Sequence, residues 1–227
     1  MKKVGLLIFI LALTVGIIFA NSSGFGRFSF IKFGTIQGSG TLKTEKRNVA
    51  DFSKVEAGSA VNIEISFQKD FSVDVETDDN LLENVKTVVD GDTLKVYTKG
   101  RMSTRNPINV RIIMPAIEGL EVSGASKVNV SNVVAESLHI EASGASKIKI
   151  NGEVKELNVD ASGASKIDAE KLKVENAEID ASGASGITVF VSGQLNADAS
   201  GASKIVYSGN PTNIEKSASG ASSVVGK

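Results

Sequence analysis

A single tetrapeptide, Ser-Gly-Ala-Ser, occurs six times in the second half of the chain. Successive copies begin 20, 19, 20, 18 and 19 residues apart. The copies are Ser123–Ser126, Ser143–Ser146, Ser162–Ser165, Ser182–Ser185, Ser200–Ser203 and Ser219–Ser222. A period near twenty residues is typical of solenoids, in which each repeat forms one coil that stacks on the coil before it.

The residues around each tetrapeptide alternate between apolar and polar, which is the periodicity of a β-strand. In one repeat, Leu157, Val159 and Ala161 lead into the tetrapeptide, and Ile167 and Ala169 follow it. Aromatic residues make up only 5% of the chain and Trp is absent, which suits thin coils better than a bulky core. The sequence therefore predicts an all-β fold, a right-handed parallel β-helix with coils of about 19–20 residues.

The tetrapeptide itself is predicted to form a corner, because Gly adopts positive φ without steric cost. Its length never varies, whereas the opposite turn absorbs every difference in repeat length and carries turn signals such as Asn151-Gly152. Constant length indicates a corner that is stacked on its neighbours. We expect the small residues on both sides of the corner, for example Ala161 and Ala164, to point into a narrow core.

The chain divides into four predicted parts. Residues 1–20 form a signal peptide or N-terminal anchor, because Lys2 and Lys3 precede an uncharged apolar run. Residues 21–40 form a linker, residues 41–116 the β-rich N-terminal cap region, and residues 117–227 the β-helix repeats. The N-terminal part places the rest of the chain outside the cytoplasm, as a periplasmic, cell-surface or membrane-anchored protein. Membrane contact is expected only through an uncleaved N-terminal segment.

The cap region contains its own signals. Asp90-Gly91 between two apolar runs predicts a hairpin, and Asp78-Asp79-Asn80 is expected to cap a short helical turn. Residues 55–61 resemble a degenerate copy of the later repeat. The solenoid is therefore expected to begin there, with hairpins inserted between this copy and the later repeats. A terminal repeat that departs from the consensus often serves as a cap.

Two rows of charged side chains flank the predicted corner and are expected to face outward. The acidic row stands two residues before each tetrapeptide and consists of Glu121, Glu141, Asp160, Asp180 and Asp198. The lysine row directly follows each tetrapeptide and consists of Lys127, Lys147, Lys166 and Lys204, with Gly186 and Ser223 at the remaining positions. These nine residues form the candidate binding face.

Three interpretations of this face are open. It is a solvated surface on which the two rows partly offset each other, or a flat recognition surface for a glycan or other surface polymer. The third is a lyase-like site in which carboxylates hold Ca²⁺ and a base abstracts a proton. The rows are uniform and contain no local cluster, so the sequence predicts no catalytic residue, no metal ligand and no cofactor.

The composition narrows the function classes. The chain has no Cys, which excludes disulfides, thiolate metal sites and cysteine nucleophiles. Its net charge of −1 gives no electrostatic footprint for nucleic acid. His139 is the only histidine and its counterparts in other coils are polar, so it is expected to be solvated. Hydroxyls of the repeated serines are expected to bond neighbouring backbone.

The C-terminal edge of the stack is expected to lack a cover, since only residues 223–227 follow the last tetrapeptide. Exposed strand edges invite pairing with another chain. Lys216 replaces an inward apolar residue there and could blunt the edge. The sequence therefore predicts either a self-capped end or self-association through the C-terminal edge.

Several further motifs carry a family resemblance. They are Phe52-Ser53-Lys54-Val55, Asp79-Asn80-Leu81-Leu82, Gly91-Asp92-Thr93-Leu94, Ile112-Ile113-Met114-Pro115 and the six tetrapeptides. With these motifs the chain resembles the bacterial family described as "putative auto-transporter adhesin, head GIN domain", over residues 41–227. The resemblance implies an exported, non-enzymatic, adhesin-like or envelope-binding module. A structural spacer of the envelope is the alternative, and a polysaccharide-active enzyme is a distant one.

Overall fold

The computed structural model describes residues 34–227 and contains almost only β-strands. The predicted signal or anchor (1–20) and most of the predicted linker (21–40) lie outside the described residues. In the described part, no helix has the length and apolarity needed to cross a membrane.

Within residues 34–227, eighteen strands and one 3₁₀ turn follow one another. The first nine strands are β1 (Ile36–Gln37), β2 (Leu42–Arg47), β3 (Lys54–Ala57), β4 (Asn62–Phe67), β5 (Ser72–Asp78), β6 (Val85–Asp90), β7 (Thr93–Thr98), β8 (Met102–Ser103) and β9 (Asn109–Met114), with the 3₁₀ turn at Asp79–Asn84. The remaining nine are β10 (Gly119–Val122), β11 (Lys127–Ala142), β12 (Lys147–Ala161), β13 (Lys166–Ala181), β14 (Gly186–Val191), β15 (Gln194–Ala199), β16 (Lys204–Ser208), β17 (Asn213–Ala218) and β18 (Ser223–Gly226).

The repeats form the parallel β-helix that the sequence predicts. Strand segments that precede a corner pair in parallel with the equivalent segments of neighbouring coils, and so do the segments that follow it. Equivalent residues align: Ile148 pairs with Ile167, and Ala161 pairs with Ala181. Each corner is therefore flanked by two stacks of strands. We call the stack before the corner the leading stack and the stack after it the trailing stack.

Each Ser-Gly-Ala-Ser unit is a corner whose backbone bonds directly to the corner below. The six corner glycines have φ between 69° and 75°, in the left-handed region that disfavours residues with a Cβ. The Ala164 N–H donates to the carbonyl oxygen of Gly144 at 2.7 Å, and the Ala184 N–H donates to that of Gly163 at 2.7 Å. This repeated contact explains why the corner has a constant length.

The core consists of the inward-facing residues of both stacks, such as Leu157 and Ile167, which are fully buried. Ala161 is also buried, as predicted. The prediction for Ala164 was wrong, because the Ala of the tetrapeptide is exposed and the second serine, Ser165, is buried instead. The left-handed glycine turns the chain so that the fourth residue of the corner, not the third, enters the core.

The first coil is formed by β3 and β4. β3 pairs in parallel with β10, and β4 pairs in parallel with the beginning of β11. The Ala125 N–H donates to the carbonyl oxygen of Ser59, which takes the place of a corner glycine at φ 74°. Residues 54–67 therefore form an early coil of the same solenoid.

The coil below this one is built from later residues. β7 pairs with β3 and β9 pairs with β4, both in parallel. One level further out, β6 and β5 run antiparallel to β7 and β9, and β2 runs antiparallel to β5. The chain therefore leaves the first coil, reverses direction, and returns through the hairpin at Gly91 to insert a coil beneath it. These antiparallel strands cover the N-terminal end of the core.

A buried carboxylate fastens the start of the described chain to this cap. Asp78 is fully buried and accepts hydrogen bonds from the backbone N–H groups of Gly40 and Arg105 and from the Asn106 side chain. Burial acts to raise the pKa of Asp78, but hydrogen bonds from Arg105, Asn106 and Gly40 outweigh it, and the pKa lies below its ordinary value. The 3₁₀ turn follows as predicted, although the Asp78 side chain does not cap it.

The C-terminal end of the stack has a different character. β17 pairs only with β15, and β18 pairs only with β16, so each has one free edge among the described residues. All six residues of β17 are exposed, including Ile214 and Lys216 at positions that face inward in lower coils. Self-association through this edge stays a prediction.

The geometry of the corner predicts that replacement of a corner glycine destabilises the fold. A Cβ at Gly163 would lie 2.7 Å from the carbonyl oxygen of Gly144, and φ is 69°. Gly163→Ala is therefore expected to lower the free energy of unfolding by about 2 kcal/mol or more. Gly186→Ala is the matched control, because a Cβ there meets nothing within 4 Å. Denaturant unfolding of both variants is the measurement, and an equal effect of the two would contradict the stacked corner.

Candidate functional site

The candidate binding face occupies the outer surface on both sides of the stacked corners. The acidic row lies at the end of the leading stack, where Glu121, Glu141 and Asp160 occupy successive positions of one register. The lysine row lies at the start of the trailing stack, where Lys127, Lys147 and Lys166 are aligned in the same way. All nine residues are exposed. Neighbours within a row are separated by one strand spacing, about 4.8 Å.

The register extends the acidic row by one residue. Glu56 of β3 aligns with Glu121 of β10 and thus belongs to the same row, one coil nearer the N-terminus. Lys95 of β7 comes next and lies 3.9 Å from Glu56, so that the row ends against a positive charge. At the other end, Ser217 of β17 aligns with Asp198, and the row loses its charge.

The two rows do not neutralise each other by direct contact. No residue of the lysine row lies within 4.0 Å of a carboxylate in the part of the chain that the structure describes. In the acidic row, besides Glu56 beside Lys95, Glu141 and Asp160 have a nearby nitrogen, at 2.9 and 4.0 Å from the His139 Nε2. The ion pairs of the solenoid lie elsewhere, for example between Lys173 and Glu153 at 2.6 Å near the opposite turn.

Crowding of like charge changes the acid–base behaviour of the acidic row. Burial raises the pKa of Asp180 above its ordinary value, and the carboxylates of Asp160 and Asp198 raise it further. Burial likewise raises the pKa of Glu121, and Glu56 and Glu141 add to the effect. The row therefore keeps a net repulsion at Asp180 and Glu121, although Lys95 offsets part of it at Glu121.

A shallow open groove runs along the acidic row beside the corners. Its walls are the carboxylates of the row and the first serines of the tetrapeptides, such as Ser162 and Ser182. The second serines point inward, and only some of their hydroxyls meet a carbonyl: the Ser203 Oγ donates to the Ala181 oxygen at 3.0 Å. The Oγ atoms of Ser146, Ser165 and Ser185 are buried without a partner among the described residues.

The face presents exposed side chains of both charges. Within residues 34–227, no three His, Asp or Glu side chains are arranged as ligands for a metal ion. The His139 ring contacts carboxylates, and neither charged row supplies a nucleophile activated by a base. What the face offers is regularly spaced charge of both signs on a rigid support.

A family model matches residues 51–211, which is well over half of the chain. Its description is "putative auto-transporter adhesin, head GIN domain". The chain belongs to this family. No curated protein matches the chain.

Solved structures share the fold of this GIN domain. A "putative adhesin" from Bacteroides fragilis NCTC 9343 is 21% identical with a TM-score of 0.71, covering 85% of this chain and 100% of its own. Another from Parabacteroides merdae ATCC 43184 is 16% identical with a TM-score of 0.51, covering 85% and 99%. A "putative lipid binding protein" from Parabacteroides distasonis ATCC 8503 is 21% identical with a TM-score of 0.50, covering 86% and 100%. At this identity the likeness concerns the fold alone.

Two residues of the GIN-domain face were missed in the sequence. Glu56 could have been found, because within the degenerate repeat at residues 55–61 it stands two residues before Gly58, just as the acidic row stands two residues before each tetrapeptide. Lys95 could not, because its strand is inserted beneath a coil that comes earlier in the chain.

The raised pKa of Asp180 predicts a pH-dependent effect on stability. Because protonation of Asp180 is easier in the folded chain than in the unfolded one, its ionisation opposes folding as the pH rises through the folded pKa. Asp180→Asn is therefore expected to raise the free energy of unfolding at pH 7 by about 0.5 kcal/mol, a figure reduced for solvent screening. The melting temperature should rise accordingly at pH 7 and should not rise at pH 3.

Glu153→Gln is the control of opposite sign. The hydrogen bond and charge of Lys173 lower the pKa of Glu153, so its contribution to stability is present at neutral pH and is lost as the pH falls through the folded pKa. Thermal melts of both variants against pH make the comparison. An Asp180→Asn variant that melts below the unmodified chain at pH 7 would refute the repulsion in the acidic row.

Proposed function

We propose that the chain is an exported, non-enzymatic adhesin-like module that binds a component of the cell envelope. Its recognition surface is the pair of charged rows beside the corners. The observation that carries the proposal is that both rows are exposed and repeat once per coil without a direct contact between them. Membership of the adhesin-like family supports a role in binding.

Rigid rows of identical groups suit a repetitive partner. The parallel register holds each charged residue one strand spacing from the next, about 4.8 Å. The backbone positions of the charges are therefore already fixed before a partner binds, which lowers the cost of ordering on binding. A glycan or other surface polymer presents its own groups at regular intervals. Several weak contacts then add up along the row, although each exposed charge pair contributes little.

The proposed location is outside the cytoplasm: in the periplasm, at the cell surface or anchored to a membrane. The basic residues Lys2 and Lys3 before an apolar run support this location. The net charge of −1 gives the chain no overall electrostatic attraction to nucleic acid.

A structural spacer is the second candidate. The observation in its favour is the length of the uniform stack, which would hold its two ends apart without any partner on its sides. A polysaccharide-active enzyme is a distant third candidate, and fold analogy with other β-helices is its only support.

Retention on isolated cell-envelope material tests the proposal. The purified full chain is mixed with envelope fragments at low ionic strength, and the bound fraction is measured after sedimentation. Lys147→Glu with Lys166→Glu is expected to weaken retention by about fivefold or more, since two attractive contacts become repulsive. Lys43→Glu with Lys46→Glu on β2 is the matched control, because it changes the charge equally at exposed positions outside the face.

Each outcome separates the candidates. Loss of retention in the lysine-row variant alone supports the binding module. Equal retention of the unmodified chain and the lysine-row variant, or no retention of either, supports the spacer and contradicts the proposal. Release of unsaturated sugars in the presence of Ca²⁺ would replace both with an enzyme.

A further inference from the structure

We infer that the partner of the two charged rows is a second copy of this chain, held corner to corner in a two-fold dimer. The inference rests on the proposed function and narrows it, because a second copy of an exported chain is itself a component of the envelope with groups at regular intervals. The observation behind it is that four successive or nearly successive coils carry a carboxylate on one side of the corner and a lysine on the other. Asp160 precedes and Lys166 follows the corner at residues 162–165, and both are exposed.

Symmetry makes this arrangement self-complementary. A two-fold rotation about an axis parallel to the stack keeps every coil at its own height and exchanges left and right. When two copies face each other across their corners, the acidic row of each lies opposite the lysine row of the other. The pitch of the two rows matches without adjustment, because the same coils produce both. Closed two-fold interfaces are the commonest kind between identical chains.

The pairs match coil by coil. Glu121 would face Lys127 of the other copy, and Glu141, Asp160 and Asp198 would face Lys147, Lys166 and Lys204. Two carboxylates of the row would lack a partner: Asp180, because Gly186 stands at the lysine position, and Glu56, because Asn62 stands there. In the last coil, both positions are uncharged, as Ser217 and Ser223.

The corner permits the close approach that the pairs need. Its two outermost residues, for example Gly163 and Ala164, are exposed and small. Large side chains at these positions would hold the copies apart and keep the charges out of contact. Burial and the like charges of Glu56 and Glu141 raise the pKa of Glu121, and the facing Lys127 of the other copy would relieve this repulsion.

Disulfide cross-linking tests the geometry in the full chain. The sequence has no cysteine, so an introduced thiol is unique. Ala164→Cys lies next to the proposed axis, at the same height in both copies, and is expected to form a dimer on mild oxidation at low salt. Val134→Cys is the control, because Val134 is 80% exposed but lies near the opposite turn. About 0.5 M salt is expected to suppress the Ala164→Cys dimer.

Charge exchange tests the pairing. Reversal of the lysine row by Lys147→Glu with Lys166→Glu, or of the acidic row by Glu141→Lys with Asp160→Lys, is expected to abolish cross-linking through Ala164→Cys. A mixture of the two variants is expected to restore it, because every facing pair is then of opposite sign. Gly186→Lys supplies the missing lysine opposite Asp180 and is expected to tighten the dimer by about threefold to tenfold. Unchanged thermal melts establish that the variants fold.

Three results would overturn the inference: no dimer with Ala164→Cys, equal cross-linking with Val134→Cys, or a dimer that survives reversal of one row. A dimer that survives reversal would place the contact elsewhere, for instance at the free edges of β17 and β18. The envelope-retention assay separates this failure from failure of the proposed function. A chain that never dimerises but loses retention on reversal of the lysine row still binds through the face, with an envelope polymer as its partner.

Discussion

The hydrogen bond from each corner alanine to a carbonyl of the coil below sets the geometry of the whole solenoid. The accepting residue is left-handed in every case, a tetrapeptide glycine or, in the earliest coil, Ser59, and the bond fixes the height of one coil on the next. The strands on both sides then begin in register, and their apolar residues reach one continuous core. Variation in repeat length is left to the opposite side, where shifts of register between the paired strands absorb it.

The same constraint explains the surface. Because the corner is invariant in length, the residue two places before it and the residue directly after it repeat at the same height on every coil. A carboxylate and a lysine at these positions therefore form two straight rows, and no other structural feature is needed to align them. Like charges one strand spacing apart repel one another, and the structure retains this repulsion in the acidic row. A protein that needed only a solvated surface would gain stability by mixing the two signs within a row.

Much of this could be predicted from the sequence, because the repeats make each position readable six times. The corner, the alternation around it and both charged rows follow from that repetition. The prediction of the inward residue of the corner was wrong. Whether Ala164 or Ser165 points into the core depends on how the left-handed Gly163 turns the chain, which the alternation of apolar and polar residues does not reveal. The order in which the strands of the cap pair could not be predicted. β7 and β9 pair with strands that come earlier in the chain, and no local sequence pattern indicates that pairing. The buried Asp78 depends on backbone groups far away in the chain.

Amide hydrogen exchange tests the stacked corner most directly. The N–H groups of Ala145, Ala164, Ala184 and Ala202 donate to glycine carbonyls at 2.7–2.8 Å, although these alanines are exposed. They are expected to exchange as slowly as amides in the flanking strands. The amides of the adjacent glycines, which have no carbonyl partner among the described residues, are expected to exchange fast. Corner alanines that exchange as fast as those glycines would contradict the account.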